Sequence, residues 1–269
     1  MSQQPNDYSP FGPVRDDMPS YQPAPPVRKR SGALTVVLTL AVLLAAVVLV
    51  NESLLRIRLV AVVGNEKIPW EQVVNDAGLR GGSSFFALNE KKIEEGINRN
   101  RYLVFEKLEK QFPDSVVIYV RERALRANVQ VMGVTYQMDE EGMILERVGG
   151  VQTDNGLITV TGFQTREIRV GDVIVATMAS QMEAYKELMG EVLRQGFSDQ
   201  VAELNLSNPD SLYLITKDGY TAHLGNKEDL RAKIGTVRAV VEKLREMGKT
   251  GGMLEASVPA VATYMPMDH

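Results

Sequence analysis

The sequence predicts an α+β protein in which one apolar helix near the N-terminus precedes two regions of mixed strands and helices. Three observations support this fold class. Residues 33–50 form an uncharged apolar run, the next 65 residues or so carry the signals of a β-α-α-β-β unit, and the rest alternates short strands with two amphipathic helices. The composition agrees, because 44% apolar and 24% charged residues are ordinary for a chain that buries a core.

The apolar run is long enough to cross a lipid bilayer. Together with the two residues before it, 33–50 reaches the roughly 20 residues that span a hydrocarbon core. Three cationic residues, 28–30, precede the run and Glu52 follows it, which favours a cytoplasmic N-terminus. A cleaved signal peptide fits less well, because its apolar region usually has about 7 to 15 residues. We therefore expect a transmembrane helix over 31–51 in a single-pass type II membrane protein.

Residues 1–30 are predicted to be a disordered cytoplasmic tail. The first 27 residues hold seven prolines, together with Gln, Ser, Asn and Asp, and show no apolar periodicity. Such a composition cannot bury enough apolar surface to offset the entropy of ordering the chain. A proline-rich ligand for an adaptor protein is the alternative, although proline-rich tracts are commonly linkers.

The region after the apolar run has alternating strand, turn and helix signals. Its predicted elements are a strand over 57–63, a helix from Pro69 to Gly78, a helix capped by Asn89, and strands over 104–112 and 115–120. β-branched residues fill the strands, and Gly-Asn and Pro-Asp pairs mark the turns. Apolar residues recur four apart in the second helix. The predicted order is therefore β-α-α-β-β.

The remaining chain is richer in strands. Strands are predicted over 125–131, 134–138, 143–146, 157–161, 201–206, 212–216 and 220–224. Two amphipathic helices interrupt them, and capping boxes are predicted at their starts, at 180–183 and 226–229. A last extended segment is predicted over 253–264. This region is therefore expected to be a mixed, β-rich domain with two helices.

The sequence offers little support for a catalytic, metal-binding or nucleic-acid-binding site. The net charge of -4 disfavours a nucleic-acid partner, since binding to phosphates needs a basic face. There is no cysteine, and His223 has no second histidine at metal-ligand spacing. The three acidic side chains of the turn 139–141 are interpreted as charges in contact with water. We expect no catalytic, cofactor-binding or metal-binding residues, although a site assembled from distant residues stays open.

Several short motifs follow one another in a characteristic order. In chain order they are VAVVGN at 60–65, FF at 85–86, FPDS at 112–115, VRER at 120–123, DEEG at 139–142, LGN at 224–226 and YMP at 264–266. With the apolar helix before them, over residues 33–266, they resemble the FtsQ/DivIB family of bacterial cell division proteins. The chain departs from the family pattern near 254–257.

The resemblance implies a POTRA domain over 55–123 and a β domain over 124–266. It also implies a non-enzymatic scaffold of the division complex at the division septum, anchored in the cell membrane and without a cofactor. The implied partners are FtsB/DivIC-like and FtsL-like proteins, and the implied role is control of the septal peptidoglycan synthesis machinery.

In the family that the chain resembles, the last strand of the β domain pairs with a strand of a partner. Carried over to this chain, that strand is 253–264. The side chains expected to contact the partner are Ser257, Val258, Val261, Ala262 and Tyr264. Backbone hydrogen bonds supply affinity in strand addition, and alternate side chains supply specificity. Pro259 also favours an edge position, because it cannot donate to a central ladder.

Two other classes of function stay open. An anchored extracytoplasmic enzyme would have a deep pocket with perturbed carboxylates. A sensor of the cell envelope would bind a cytoplasmic partner through residues 1–30.

Overall fold

The structure, a computed structural model of the chain, describes residues 32–54, 56–79, 82–149, 155–165 and 167–266. The predicted tail over 1–30 lies outside the described residues. The chain divides into two units, residues 1–50 and a compact body over 51–269. The compact body contains two β-sheets, which together hold every described strand.

The N-terminal helix, α1, covers Gly32–Leu54, three residues beyond the predicted end. Its stretch Gly32–Leu49 has no ionisable side chain and is long and apolar enough to cross a membrane. The hydroxyl of Thr39 donates to the carbonyl of Thr35 at 2.7 Å. Such a bond to the preceding turn satisfies the hydroxyl without water.

The first sheet, called here the small sheet, is built from the predicted β-α-α-β-β order. Its elements are β1 Leu59–Val63, α2 Trp70–Asp76, α3 Glu90–Asn98, β2 Leu103–Gln111 and β3 Ser115–Glu122. The strand order is β1-β3-β2, with β3 parallel to β1 and antiparallel to β2. Helices α2 and α3 cover one face and bury Val73, Ile97 and Ile118 against it.

Two local features fix the boundaries of these elements. β1 ends just before Gly64, whose φ is +94°, and a Cβ there would lie 1.9 Å from the carbonyl oxygen of Val120. Only glycine fits such a close backbone approach. The side chain of Asn89 accepts from the N–H of Lys92 at 3.3 Å, which confirms the predicted cap of α3.

The second sheet, called here the large sheet, has nine strands, and two helices lie between its strands along the chain. They are β4 Ala127–Val131, β5 Val134–Met138, β6 Ile144–Val148, β7 Ile158–Thr161, α4 Ala179–Arg194, β8 Val201–Asn205, β9 Leu212–Thr216, β10 Tyr220–Gly225, α5 Leu230–Glu246, β11 Gly252–Glu255 and β12 Thr263–Met265. The strand order is β12-β11-β10-β9-β8-β7-β4-β5-β6. The predicted α+β fold class is confirmed.

The two helices of the large sheet are crossover connections. β7 is parallel to β8, and β10 is parallel to β11, so each pair needs a long connection rather than a hairpin. Helix α4 connects the first pair and α5 the second. Their predicted apolar stripes, including Leu188 on α4 and Val237 on α5, are fully buried in the core beneath the sheet.

The capping boxes predicted at 180–183 and 226–229 are wrong. Neither α4 nor α5 has a side-chain hydrogen bond at its N-cap. The carboxylate of Glu183 instead accepts from Lys227 at 2.7 Å. The side-chain oxygen of Asn226 accepts from the backbone N–H two residues further on, at 3.2 Å. Both side chains are therefore held by partners from the loop before α5.

The last extended segment is also not a single strand. The structure divides 253–264 between β11 and β12, which form an antiparallel pair. Pro259 lies in a turn between them, closed by a bond of 3.2 Å from the N–H of Val261 to the carbonyl of Val258. Ala260 has a φ of +62°, which no strand residue adopts. Pro259 therefore marks a turn, and of the two strands only β12 lies at an edge of the sheet.

Candidate functional site: the C-terminal edge of the large sheet

β12 is an edge strand. It pairs with β11 through the register Met253 to Met265, Leu254 to Tyr264 and Glu255 to Thr263. Within the described residues, no strand pairs with its other side. An edge strand presents backbone N–H and C=O groups that another chain can pair with. The edge can therefore receive an additional strand.

The five predicted partner-binding residues lie on two elements. Tyr264 lies in β12, and Ser257, Val258, Val261 and Ala262 lie in the loop that connects β11 to β12. Val258 and Val261 are 59% and 54% exposed. Ser257, Ala262 and Tyr264 are half-buried. The loop thus presents two apolar side chains to solvent beside an unpaired strand.

Tyr264 contacts its own domain with much of its surface. Its hydroxyl donates to the carbonyl of Gly251 at 3.2 Å, and its ring meets the ring of Tyr220 edge-on at 6.3 Å. The ammonium of Lys249 lies 5.4 Å from the ring centroid. These contacts, with β10 and with the turn before β11, hold β12 in place on its own domain.

Gly252, the first residue of β11, allows the close approach of β12. Its φ is +119°, and a Cβ there would lie 2.6 Å from the ring of Tyr264 and 2.8 Å from the carbonyl oxygen of Met265. Either contact is shorter than a carbon or oxygen atom tolerates without displacement. The position of the edge strand therefore depends on the absence of a side chain at this residue.

A chain of polar contacts crosses three strands next to this edge. The imidazole Nε2 of His223 lies 3.0 Å from the hydroxyl of Ser211, and its Nδ1 lies 2.8 Å from the carboxylate of Glu255. That carboxylate also accepts the N–H of Ser257 at 3.2 Å. The ring of Tyr213 stacks on the imidazole at 4.7 Å. The network thus connects β9 and β10 to the start of the loop between β11 and β12.

The hydrogen bonds to Glu255 favour its ionised form. Its bonds with Ser257 lower the pKa of this carboxyl most, burial opposes them, and the contact with His223 lowers the pKa further. The carboxylate is therefore ionised at neutral pH, as its role as an acceptor requires. Sequence reasoning could not identify these partners of His223, because they lie 12 and 32 residues away along the chain.

The order of Ser211, His223 and Glu255 is also that of a nucleophile, a base and an orienting acid. Catalysis by such a set needs oxyanion donors and a site that excludes water. These residues lie on the outward face of the large sheet, because their neighbours Leu212 and Leu254 point into the core. The amide of Ser211 donates to Asn208 at 2.9 Å. The arrangement fastens the end of β11 to its neighbouring strand and to the residue before β9.

The described surface includes an open groove elsewhere on the large-sheet region. Its volume is about 570 Å³, and the loop over 167–177 lines it. Glu167 and Arg169 within it form an ion pair of 2.6 Å whose side chains are both mostly exposed. Within the described residues, no group of three or more His, Cys, Asp or Glu side chains is placed to hold a metal ion. The groove thus has solvated charges at its mouth.

A second cluster of charges joins the small sheet to the large sheet. Arg123, which follows β3, forms an ion pair with Asp139, whose side chain is fully buried. The same guanidinium donates to Glu141 at 2.8 Å, and Arg121 donates to Glu141 at 2.7 Å. The backbone N–H groups of Glu141 and Met143 also donate to Asp139, at 2.9 and 2.8 Å. This cluster is called the junction.

The interpretation of the acidic turn 139–141 as solvated charge is therefore wrong for Asp139. Burial lowers the pKa of Arg123, but the contacts with Asp139 and Glu141 outweigh burial and leave it raised. Burial likewise raises the pKa of Glu141, and the contact with Arg123 outweighs it and leaves it lowered. Both groups are thus charged in the folded protein. The pairing could not be read from the sequence, since its members lie 16 to 20 residues apart.

Glu122, beside Arg123, organises the turn before α2. One oxygen of its carboxylate accepts three backbone N–H groups, from Glu66 at 2.7 Å, Lys67 at 2.9 Å and Ile68 at 2.7 Å. Burial opposes ionisation, but these three donors outweigh it and lower the pKa of Glu122. The pair Glu122 and Arg123 thus fixes the turn on one side and the junction on the other.

Comparison with known families identifies both regions of the chain. Residues 55–123 match the FtsQ-type POTRA domain, and residues 127–257 match the C-terminal domain of the cell division protein FtsQ/DivIB. The second match ends at Ser257. The other four predicted partner-binding residues therefore lie beyond the part that matches.

Several curated proteins are similar over most of their length. Cell division protein DivIB of Clostridium tetani is 21% identical over 202 residues, which cover 75% of this chain and 76% of the relative. DivIB of Clostridium botulinum is 23% identical over 217 residues, covering 80% and 84%. Cell division protein FtsQ of Syntrophotalea carbinolica is 24% identical over 192 residues, covering 71% and 66%.

One solved structure also aligns with the chain. It is the major extracytoplasmic domain of the bacterial cell division protein DivIB from Geobacillus stearothermophilus, at 15% identity and a TM-score of 0.31. The alignment covers 46% of this chain and 96% of that domain. At that score it carries no argument about the arrangement of the fold.

Proposed function

This chain belongs to the FtsQ/DivIB family of cell division proteins, and from that we propose that it is a membrane-anchored scaffold of the division complex that acts by binding partners. The proposed domains are a POTRA domain over 55–123, which contains the small sheet, and a β domain over 124–266, which contains the large sheet. No catalytic step is assigned to either domain.

The proposed anchor is α1. Its exposed Leu and Val side chains would be costly in water and are matched to the hydrocarbon core of a bilayer. The cationic residues at 28–30 favour a cytoplasmic N-terminus. In this orientation the POTRA and β domains are extracytoplasmic, and the site of action is the division septum.

The proposed binding site is the outer side of β12. The observation that carries this proposal is that β12 pairs with β11 on one side only. A partner strand would bond to the free backbone groups, and the exposed Val258 and Val261 would add apolar contacts at one end of it. Tyr264 would contribute the exposed part of its ring and keep the edge in place.

The proposed partners are FtsB/DivIC-like and FtsL-like proteins, and through them the septal peptidoglycan synthesis machinery. A scaffold transmits the position of one partner to another only if its own domains keep a fixed arrangement. The junction supports this requirement, because the buried pair of Arg123 and Asp139 connects the POTRA domain to the β domain. Binding at β12 would thus be held in a defined relation to the POTRA domain.

The direct test is binding of the full chain, reconstituted in lipid nanodiscs, to the extracytoplasmic part of the same organism's FtsB/DivIC-like protein. Val261→Asp places a charge beside the proposed interface, and a chain that ends at Ala262 removes β12 altogether. We expect a loss of about tenfold or more in affinity for the first variant, because an apolar contact is replaced by a desolvated charge. The second variant should not bind.

The matched control is Val175→Asp, since Val175 is 73% exposed and lies in a loop far along the chain from β12. It should bind as the unchanged protein does, and both substituted proteins should keep the same melting temperature. Equal binding by Val261→Asp, Val175→Asp and the shortened chain would contradict the proposed site. Location of a fluorescent fusion away from the septum in dividing cells would contradict the proposed place of action.

A further inference from the structure

Two phenylalanine side chains form an exposed cluster on the POTRA domain. Phe86 and Phe112 are 69% and 70% exposed. Both rings meet the buried ring of Phe85 edge-on, with centroids 5.8 and 5.9 Å apart. Phenylalanine is usually buried in proteins, and a group of large apolar side chains left on the surface indicates a binding surface.

This cluster lies at the end of the domain where the chain enters it. The N–H of Ile57 donates to the carbonyl of Ser83 at 2.9 Å, and the N–H of Arg58 donates to the carbonyl of Asp114 at 2.8 Å. The loop that carries Phe86 follows Ser83, and the turn that carries Phe112 precedes Asp114. Both aromatic side chains therefore belong to segments that bond directly to the entering chain.

The entering chain is short. Five helical residues after Leu49, the end of the apolar stretch, extend to Leu54 and rise about 7.5 Å. Two further residues reach Arg56 and add at most about 7 Å. With the helix continued to Leu54, Arg56 is therefore tethered within about 15 Å of the last residue of that stretch. With α1 as the anchor, the lipid surface is within reach of this end of the domain.

Cationic side chains accompany the aromatic ones. Arg56, Arg58 and Lys110 are exposed. The ammonium of Lys110 donates to the carbonyl of Leu88, in the segment that follows Phe86, at 3.3 Å. Surfaces that lie on a bilayer combine apolar side chains such as phenylalanine, which enter the headgroup layer, with lysine and arginine, which attract anionic lipids.

We propose that this end of the POTRA domain rests on the extracytoplasmic surface of the membrane, with Phe86 and Phe112 inserted among the lipid headgroups. The inference rests on the membrane anchor of the proposed function but not on partner binding at β12. The ligand is a bilayer surface that contains anionic phospholipid. Contact at two rings and the tether together fix the tilt of the domain relative to the membrane.

The experiment uses quenching of tryptophan by brominated lipid in nanodiscs of phosphatidylcholine and phosphatidylglycerol that hold the full chain. The chain has one tryptophan, Trp70, at the start of α2. It follows Ile68, whose N–H bonds to Glu122 at the opposite end of the small sheet. Trp70 is thus a built-in control. The probes are Phe86→Trp and Phe112→Trp, each combined with Trp70→Phe.

We expect both probe proteins to be quenched several-fold more strongly than the unchanged protein, with emission shifted to the blue. Because tryptophan itself favours the interface, a second measurement keeps both phenylalanines. Since the chain has no cysteine, an environment-sensitive label can be placed at Ala87→Cys, with Glu66→Cys as the control at the far end. Quenching at 87 should exceed that at 66 several-fold, and adding Phe86→Ser and Phe112→Ser should remove the difference.

Equal quenching at the two ends, or quenching at 87 that survives both serine substitutions, would overturn the membrane contact. Probes that stay unquenched in lipid alone but shift when the FtsB/DivIC-like part is added would also overturn it, since the surface would then bind protein. Loss of the protein from the nanodiscs would instead contradict the anchor, and with it the proposed function.

Discussion

The guanidinium of Arg123, at the end of the POTRA domain, is paired with the carboxylate of Asp139, which belongs to the turn between β5 and β6 and is fully buried. Two backbone N–H groups complete the coordination of that carboxylate. Removing the partner of a buried charge lowers the stability of a protein much more than removing the partner of an exposed charge. The stability of the protein should therefore be sensitive to this one arginine.

Arg123→Met should lower the free energy of unfolding by about 3 kcal/mol or more, because it leaves Asp139 buried with only its backbone donors. The measurement is urea unfolding of the full chain in detergent, followed by circular dichroism. Arg169→Met is the control, since Arg169 forms an exposed ion pair with Glu167 and such pairs contribute little. Similar losses in the two variants would argue against a stabilising junction.

Glu122→Ala should destabilise the POTRA domain by about 2 to 3 kcal/mol, because three backbone N–H groups lose a charged acceptor. Trp70 begins the helix that follows these donors, so its fluorescence reports the local change. The matched control is Glu94→Ala, an exposed glutamate of α3. If the two variants unfold at the same urea concentration, the carboxylate of Glu122 does not organise the turn.

The lowered pKa of Glu122 also has a pH signature. Its stabilising effect is fully present above the unfolded value of about 4.3 and is lost as the pH falls through the lower value of the folded state. Glu122→Gln should therefore lose less stability than the unchanged protein between pH 5 and the acid limit of folding. The variant lacks the uptake of up to one proton by residue 122 that accompanies unfolding of the unchanged protein in this range. Parallel curves of stability against pH for the two proteins would refute this expectation.

Gly252→Ala should displace the edge strand, because the new methyl group would meet the ring of Tyr264 and the carbonyl of Met265. Gly248→Ala is a close control, since its φ is +70° but nothing lies within 4 Å of a Cβ there. Backbone strain alone should cost Gly248→Ala about 1 kcal/mol, and the clash should add to the strain in Gly252→Ala. Hydrogen exchange at 263–265 should become faster only in Gly252→Ala.

Glu255→Ala should weaken partner binding although Glu255 is not on the unpaired edge. It removes the acceptor for Ser257 and the partner of His223, so the loop that carries Val258 and Val261 loses its fixed start. We expect a loss of several-fold in affinity for the FtsB/DivIC-like part, measured in nanodiscs. Glu203→Ala, on β8 of the same sheet, is the control and should bind normally. Unchanged binding by Glu255→Ala would show that the contacts of Glu255 do not support the binding site.

Much of the fold follows from local sequence signals. The small sheet was predictable because β-branched runs end at Gly64 and at the Pro113-Asp114 turn, and because Asn89 caps α3. The division of 253–264 into two strands was not predictable in this way. Its cause is a positive φ at Ala260 and pairing with β10, which depend on residues that are distant along the chain.

The polar parts of the site were less accessible to sequence reasoning than the strands. The motifs VRER and DEEG were recognised separately, but the bond between Arg123 and Asp139 requires two domains to be in place. His223 likewise gains its role only when β9 and β11 flank β10. Periodicity reports which face of an element is buried, whereas these contacts depend on which elements become neighbours.

The order of the nine strands has a steric consequence for assembly. β6 adjoins the POTRA domain, where Tyr102 donates to Glu146 at 2.8 Å, and β12 is the opposite border of the same sheet. Eight intervals of about 4.8 Å separate the two borders by up to about 38 Å. A strand added at one border would therefore not touch a strand added at the other. The large sheet therefore keeps its two borders apart, so that pairing at β12 leaves the contact between β6 and the POTRA domain unchanged.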